Sequence, residues 1–166
     1  INTSFGSGVV GSTSGVLLNN EMDDFVTRPG QANAYGLVGD ESNAVAPGAR
    51  PLSSMSPTVL IAPDGRTRIV VAGSGGSFII SSVVQVIVNL VDFSMDPAEA
   101  VAAPRIHHQW MPDLIFLDEG ISPDTAAALR ARGHTLKTMP FFSAVQVVQG
   151  APGAWLPRRN NRGVCA

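Results

Sequence analysis

Hydrophobic and polar residues alternate along the chain in a pattern that is strand-like at both ends and helix-like in the middle. Apolar runs at residues 1–10 and 15–19 predict strands, and the second run is short enough to be a buried one. Two further runs flank a Pro-Asp-Gly sequence within residues 58–73. Because Asp-Gly is a strong turn pair, these two runs predict a β-hairpin.

Residues 77–91 predict an apolar helix. Their polar positions Ser81, Gln85 and Asn89 recur every fourth residue and form a narrow stripe on an otherwise apolar cylinder. Such a helix is expected to be almost wholly buried, in a layer that covers a sheet. The apolar stretch is shorter than the roughly 20 residues that a membrane span requires.

Two shorter helices are predicted from their start and stop signals. The first begins after Asp96, has a proline and Glu99 in its first turn, and ends before Pro104. The second begins after Ser122 and ends at Gly133. Both patterns are complete enough to predict capped helices.

The chain is expected to finish with strands at residues 136–139, 144–149 and 154–156. Strands and a hairpin therefore come first, helices follow, and strands return. This order lacks the alternation of a doubly wound sheet and predicts an α+β layered sandwich. Residues 28–51 show no period and predict either a surface excursion or a functional loop.

Length and charge narrow the function classes. The 166 residues suit one domain with a sizeable core, and the net charge of −2 gives no electrostatic reason to bind nucleic acid. The single cysteine, Cys165, excludes an internal disulfide and a thiolate metal cluster. Because the sequence starts without Met inside a strand-like run, it is expected to be a fragment or a processed chain.

A glycine-rich stretch at residues 73–77 separates the hairpin from the apolar helix. It lacks the lysine of a phosphate-binding Walker loop, and Phe78 stands where a dinucleotide fingerprint needs a third glycine. The N–H groups of Gly75 and Gly76 would lie between a strand and a helix N-terminus. Physical reasoning alone leaves both a tight turn and an oxyanion hole open.

Other polar clusters are ambiguous when taken singly. Glu21 and Asp24 follow a predicted strand and could hold an ammonium group or a divalent ion, or be solvated. Ser53 and Ser54 lie between prolines, in a rigid turn.

The adjacent histidines His107 and His108 would point to opposite faces of a strand. One core and one surface histidine are therefore favoured over a shared metal site.

Taken together, these motifs resemble the small subunit of gamma-glutamyltranspeptidases. The resemblance runs from Asn2 to about Gly150, and the motifs occur in the family's order. They are NNEMDDF at 19–25, RPLSSMSPT at 50–58, GSGGS at 73–77, DPAEAVAAPRIHHQWMPD at 96–113 and GISPDT at 120–125.

The resemblance implies an N-terminal-nucleophile hydrolase fold, an αββα sandwich of which this chain supplies the small-subunit side. Residues 1–166 would form a single domain that lacks the first strand and the nucleophile. The implied enzyme is a gamma-glutamyltransferase, or glutathione hydrolase, which cleaves the gamma-glutamyl amide of glutathione and related compounds. The acyl group is carried on an N-terminal threonine and then passed to water or an amino acid.

The resemblance also implies partners and a location. The partners would be the large subunit of the same autoprocessed precursor and gamma-glutamyl substrates such as glutathione, with no nucleic acid. No metal or organic cofactor is expected. The implied location is periplasmic or extracellular.

By the same resemblance, residues of this sequence acquire binding roles. Asn2, Glu21 and Asp24 would hold the α-amino group of the donor, since an ammonium favours charge-assisted acceptors. Ser53 and Ser54 would donate hydrogen bonds to its α-carboxylate.

Gly75 and Gly76 would supply the N–H groups of the oxyanion hole. The threonine nucleophile would lie upstream of Asn2, and Thr3 does not take its place, so the chain alone is expected to be inactive. The sequence from Gly153 onward, GAWLPRRNNRGVCA, departs from the family's pattern. Two alternatives remain: a related acylase of the same fold, such as a beta-lactam side-chain acylase, and a non-catalytic remnant.

Overall fold

The computed structural model separates the chain into two compact units that meet between Ser54 and Met55 in the sequence, and each unit is described by itself. That residues 1–166 form a single domain remains a prediction. The structure describes residues 5–33, 35–66, 68–140, 143–151 and 154–159.

The first unit, up to Ser54, is built from turns and short helices. Two 3₁₀ helices span Glu21–Asp24 and Glu41–Asn43. Isolated bridges join single residues of distant turns, for example Val26 with Ala44.

The predicted strands at residues 5–10 and 15–19 are wrong, and residues 1–4 of the first lie outside the described residues. Phe5, Gly6 and Gly8 have φ of 60°, 53° and 70°, which turns the backbone out of an extended ladder. The predicted buried strand at 15–19 makes one isolated bridge, Val10 to Leu17, and Leu18 is 46% exposed.

The second unit, from Met55 onward, contains the regular elements. In chain order they are β1 (Thr58–Ile61), β2 (Arg68–Ser74), α1 (Phe78–Val91), α2 (Pro97–Ala102), β3 (Ile106–His107), β4 (Ile115–Asp118), α3 (Pro123–Ala131), β5 (Leu136–Met139), β6 (Ala144–Ala151) and β7 (Ala154–Arg159). The α+β class is confirmed. None of the helices in this described part has the length and apolar character that a membrane crossing requires.

The four-stranded sheet has the order β1-β2-β6-β7, and every neighbouring pair is antiparallel. The predicted hairpin is confirmed as β1 and β2, with Val59 opposite Val70. Its turn follows the Asp-Gly signal, because the Asp64 carboxylate accepts a hydrogen bond from Arg66 N at 2.8 Å and Gly65 adopts φ of 66°.

The helices α1 and α2 cover one face of this sheet and form the core with it. The core residues are Val71, Ile79, Val83, Val86, Leu90, Ala100, Val101, Val145 and Val147. The opposite face of the hairpin is also apolar, and there Val59 and Ile61 are each 62% exposed. The sheet therefore has apolar residues on both faces, with helices of this unit on one of them.

The polar stripe on α1 contacts the segment that follows the helix. Ser81 Oγ lies 2.7 Å from His107 Nδ1, and Asn89 Nδ2 donates to Ala100 O. Between them, the Gln85 side chain accepts from Ile106 N at 3.0 Å and donates to Ile106 O at 2.7 Å. The polar stripe is thus the surface of α1 on which the following segment, from α2 to β3, packs.

The prediction that α1 is almost wholly buried is wrong for this chain. Its residues Ile80, Val84 and Val91 are 50%, 52% and 56% exposed. The helix has an inner apolar face against the sheet, a polar stripe against the returning chain, and an outer apolar face.

The second sheet has the order β3-β4-β5, and β4 was not predicted from the sequence. β4 and β5 are parallel and are connected through α3, whose Ser122 cap is confirmed by the bond from Thr125 N to Ser122 Oγ. The capping box of α2 is also confirmed, since Asp96 accepts from Glu99 N and Glu99 accepts from Asp96 N.

Candidate functional site

An acidic 3₁₀ helix, Glu21–Asp24, forms the first group of candidate residues. Asn19 and Asn20 fix its start. Asn19 Oδ1 accepts from Glu21 N at 3.0 Å, and the buried Asn20 donates through Nδ2 to Asp23 Oδ2 at 3.3 Å. Local hydrogen bonds therefore place several carboxylates on one short turn.

The side chains of Glu21 and Asp24 share a hydrogen bond. Burial raises the pKa of Glu21 above its ordinary value of 4.5, and the hydrogen bond and negative charge of Asp24 raise it further. A cation beside this pair would favour the ionised form of Glu21. The structure thus brings these two predicted residues together, while Asn2 lies outside the described residues.

Asn43, which the sequence did not single out, connects this acidic turn to the serine pair. Its Nδ2 donates to Asp24 O at 2.7 Å, and its Oδ1 accepts from Leu52 N at 3.0 Å. One amide therefore bridges the backbone of Asp24 and the residue directly before Ser53. In the same unit, Ser53 is exposed and Ser54 is half-buried.

Tyr35 is a second residue that the sequence did not single out. Burial raises the pKa of its phenol, and the negative charges of Asp24 and Asp23 add to the effect, so the ring lies close to the acidic turn. Both Tyr35 and Asn43 come from the aperiodic segment 28–51. The length of that segment was the only signal that it carries more than a connection.

In the second unit, Gly75 and Gly76 form the turn between β2 and α1. Their φ angles of 136° and 59° lie where glycine is favoured. Their carbonyl oxygens accept from Phe78 N at 3.3 Å and Ile79 N at 3.1 Å, and so begin the helix. Within the described residues, neither glycine N–H donates a hydrogen bond.

This geometry agrees with the interpretation of these residues as a tight turn. It also leaves two backbone N–H donors at a helix N-terminus. Gly76 is buried and Gly75 is half-buried, so water is partly excluded from the turn. Free N–H groups beside a helix N-terminus bind negative charge, because the helix dipole adds to their own partial charge. The turn is therefore able to stabilise an anion.

The two histidines separate as expected, with one in the core and one on the surface. His107 is 4% exposed, and burial lowers the pKa of its imidazole below 6.5. His108 is at the surface, where its Nε2 lies 3.2 Å from Asp113 Oδ1. In the described part of the chain, no group of three His, Cys, Asp or Glu side chains is placed to hold a metal ion.

The fold and the comparisons place the chain in the class of N-terminal-nucleophile hydrolases. The model of the gamma-glutamyltranspeptidase family matches residues 1–165. The chain belongs to this family.

Two proteins illustrate the similarity. The "Glutathione hydrolase proenzyme" of Escherichia coli (strain K12) is 48% identical over 152 residues, which cover 92% of this chain and 26% of that protein. The structure of the T380A mutant of Helicobacter pylori gamma-glutamyltranspeptidase has a TM-score of 0.88 and 41% identity, and covers 98% of this chain and 89% of that one. The chain thus spans about a quarter of the length of the curated relatives it matches.

A cephalosporin acylase from Bacillus halodurans has a similar structure at lower identity. Its TM-score is 0.73 at 25% identity, over 95% of this chain and 28% of that chain. The same backbone therefore occurs in a protein with a different name and a much less similar sequence.

Proposed function

We propose that this chain is the small-subunit part of a gamma-glutamyltransferase that also acts as a glutathione hydrolase. The observation that carries the proposal is the hydrogen-bonded pair of Glu21 and Asp24, connected through Asn43 to the serine segment. Membership of the family over residues 1–165 supports it.

The first unit would bind the amino-acid end of the donor. The α-ammonium group forms charge-assisted hydrogen bonds with the carboxylates of Glu21 and Asp24. Ser53 and Ser54 donate to the α-carboxylate, and Asn2 contributes a further acceptor. Because Asn43 fixes the spacing of the two segments, binding orients the γ-carbonyl for reaction.

The chemical step would use the turn in the second unit. The hydroxyl oxygen of the N-terminal threonine attacks the γ-carbonyl carbon, and Gly75 and Gly76 N–H stabilise the oxyanion that forms. The amide C–N bond then breaks, and the amine leaves with the proton taken from the hydroxyl. Water or an amino acid attacks the resulting ester, which frees the threonine and releases the glutamyl product.

The large subunit of the same precursor is the proposed partner, and it supplies the rest of the sandwich. The outer face of α1 and the outer face of the β1–β2 hairpin are apolar and exposed in this chain. An antiparallel sheet that is apolar on both faces is typical of a central layer covered on both sides. We further propose a periplasmic or extracellular location, which rests on the family resemblance.

The proposal is tested with Asp24→Asn in the complete enzyme that contains this chain, with a gamma-glutamyl anilide as donor. Loss of a charged hydrogen-bond acceptor costs about 1.5–3 kcal/mol, so KM should rise roughly 10- to 100-fold. Asp23→Asn is the matched control, because Asp23 is an exposed carboxylate on the same turn. A wild-type KM in Asp24→Asn would overturn the assignment of Asp24.

The related acylase is kept as a second candidate because of the structural similarity to the cephalosporin acylase. A glutaryl anilide, which lacks the α-amino group, separates the two functions. The gamma-glutamyltransferase should prefer the gamma-glutamyl anilide in kcat/KM by a large factor. Equal or better hydrolysis of the glutaryl compound would favour the acylase.

A further inference from the structure

We propose that Arg105, His107 and Gln109 are positioning residues that fix the direction of the Gly75 and Gly76 N–H groups. The inference rests on the proposed function, in which these N–H groups stabilise the oxyanion. All three residues belong to the segment around β3, and through it they reach both sides of the glycine turn.

Ser77, on the helix side of the turn, is held by Gln109. Its position is the N-cap of α1, yet its side chain makes no capping hydrogen bond. Its Oγ donates instead to Gln109 Oε1 at 2.8 Å, and Gln109 Nε2 donates to Met111 O at 3.1 Å. The Ser77 hydroxyl, which would ordinarily cap the helix, therefore connects the glycine turn to the β3 segment by a hydrogen bond.

His107 fixes Gln109 in turn. Since Gln109 Oε1 is an acceptor, the His107 Nε2 that lies 2.9 Å from it carries the proton. His107 Nδ1 then accepts from Ser81 Oγ at 2.7 Å. The ring packs against Phe78 and Phe116, with ring centroids 4.3 and 5.9 Å away. The imidazole therefore joins Gln109 to the first turn of α1 in one defined orientation.

Ser74, on the strand side of the turn, is held through Arg105. The guanidinium is 3% exposed and donates to Val101 O at 2.9 Å and to Ser143 O at 3.0 Å. Ser143, which is fully buried, donates through Oγ to Ser74 O at 2.9 Å. The buried guanidinium of Arg105 thus holds Ser143 in place. Ser143 in turn holds Ser74, the last residue of β2.

The glycine turn is therefore held by hydrogen bonds at both ends, while the N–H groups of its two glycines stay available as donors. Ser74 is hydrogen-bonded to the buried Ser143 and Ser77 to the half-buried Gln109, and the two glycines between them donate no hydrogen bond within the described residues. Glycine is the most flexible residue, so without these anchors its N–H groups would sample many directions. Donors that are fixed beforehand need no reorganisation during the reaction, and this is the main source of oxyanion stabilisation.

The test uses His107→Phe in the complete enzyme. The phenyl ring keeps the packing against Phe78 and Phe116 but loses both hydrogen bonds, and Ser81 Oγ can still donate to Phe78 O, 3.2 Å away. Because misplacement of reacting groups by about 1 Å costs about 10²-fold, kcat should fall roughly 10- to 100-fold. KM for the gamma-glutamyl anilide and the inhibition constant of free glutamate should stay within about twofold.

Two further variants sharpen the result. His107→Gln restores an N–H near the Nε2 position and should recover most of kcat. His108→Phe makes the same change at the neighbouring surface histidine and should leave kcat unchanged.

Several outcomes would overturn the inference. A wild-type kcat in His107→Phe would do so, as would a loss of activity that follows thermal stability and is not recovered in His107→Gln. If His107→Phe does not fold, Ser77→Ala removes the same tie from the other side, and its kcat decides in the same way. A wild-type enzyme without activity on the anilide would overturn the proposed function itself, and an active wild type with an equally active His107→Phe would overturn the positioning role alone.

Discussion

At the scale of single residues, the proposed role of Glu21 would make donor binding depend on pH. The folded carboxyl binds its proton more tightly than the unfolded one, since burial and Asp24 raise its pKa above 4.5. The stability contributed by this group is therefore fully present below pH 4.5 and is lost as the pH rises through the raised pKa. An ammonium ligand would compensate for that loss, because it favours the ionised form.

We expect the affinity for the donor to increase as the pH rises from 4.5 through the raised pKa of Glu21. The ammonium group binds the carboxylate and not the acid, so protonation competes with substrate. Glu21→Gln should remove this part of the pH profile of kcat/KM. An unchanged acidic limb in Glu21→Gln would show that another group titrates there.

Gly76 allows backbone strain to be separated from loss of a donor. Its φ is 59°, so Gly76→Ala keeps the N–H but costs about 1–2 kcal/mol of left-handed strain. Gly76→Pro removes the N–H, and its kcat should be about 10²- to 10³-fold lower than that of Gly76→Ala.

The comparison between the two Gly76 variants requires that both fold, which circular dichroism and thermal melting check. Proline also requires a negative φ, so its melting temperature is expected to be the lower of the two. If the two folded variants have equal kcat, Gly76 N–H does not contact the oxyanion.

At the scale of elements, local sequence determines most directly where the helices begin and end. Asp96 Oδ1 accepts from Ala98 N at 2.6 Å and from Glu99 N at 3.0 Å, as its position before a proline predicts. Asp96→Ala should lower the free energy of unfolding by about 1 kcal/mol. Asp96→Asn keeps an acceptor and should cost less, as measured by urea unfolding.

An equal stability of Asp96→Ala and the wild type would contradict the importance of this cap. The matched Asp96→Asn variant guards against a charge effect, because it removes the charge but keeps the hydrogen bonds.

Elements that depend on distant partners were harder to predict than the helix ends. β3 has only two residues, one of them the buried His107, and it becomes a strand because it pairs with β4. The apolar run at residues 15–19 shows the reverse error. Its short apolar run predicts a strand, but the left-handed turns around it leave a single bridge to Val10. Strand pairing depends on residues that are distant in the sequence, and a local hydrophobic pattern does not predict it.

At the scale of the whole molecule, the order of motifs identified the family, and the chemistry of single motifs did not. Glu21 and Asp24 were found from sequence because acidic residues cluster visibly after an apolar run. Asn43 and Tyr35 were missed because the hydrogen bond from Asn43 to Asp24 O, and the electrostatic interaction of Tyr35 with Asp24 and Asp23, depend on how an aperiodic loop folds. No spacing rule predicts such contacts.

The outer face of α1 offers a test of the proposed two-subunit assembly. Val84 is 52% exposed in this chain, and Val84→Lys should weaken association with the large subunit and lower the melting temperature of the complete enzyme. Ala128→Lys adds the same side chain at an exposed position of α3 and should have little effect. Size-exclusion chromatography and thermal melting measure both.

Equal behaviour of Val84→Lys and Ala128→Lys would show that the outer face of α1 is not covered by the partner. The sheet face at Val59 would then be the remaining candidate for that contact.

The polar stripe on α1 makes this helix intolerant of changes in length. Each residue advances an α-helix by about 100°, so one residue inserted before Ser81 would rotate Ser81, Gln85 and Asn89 together away from their partners. Val84 and Val88 would then lie opposite Ile106 and Ala100. Natural and engineered variation in this helix should therefore consist of substitutions, while insertions and deletions should be confined to the loops on either side.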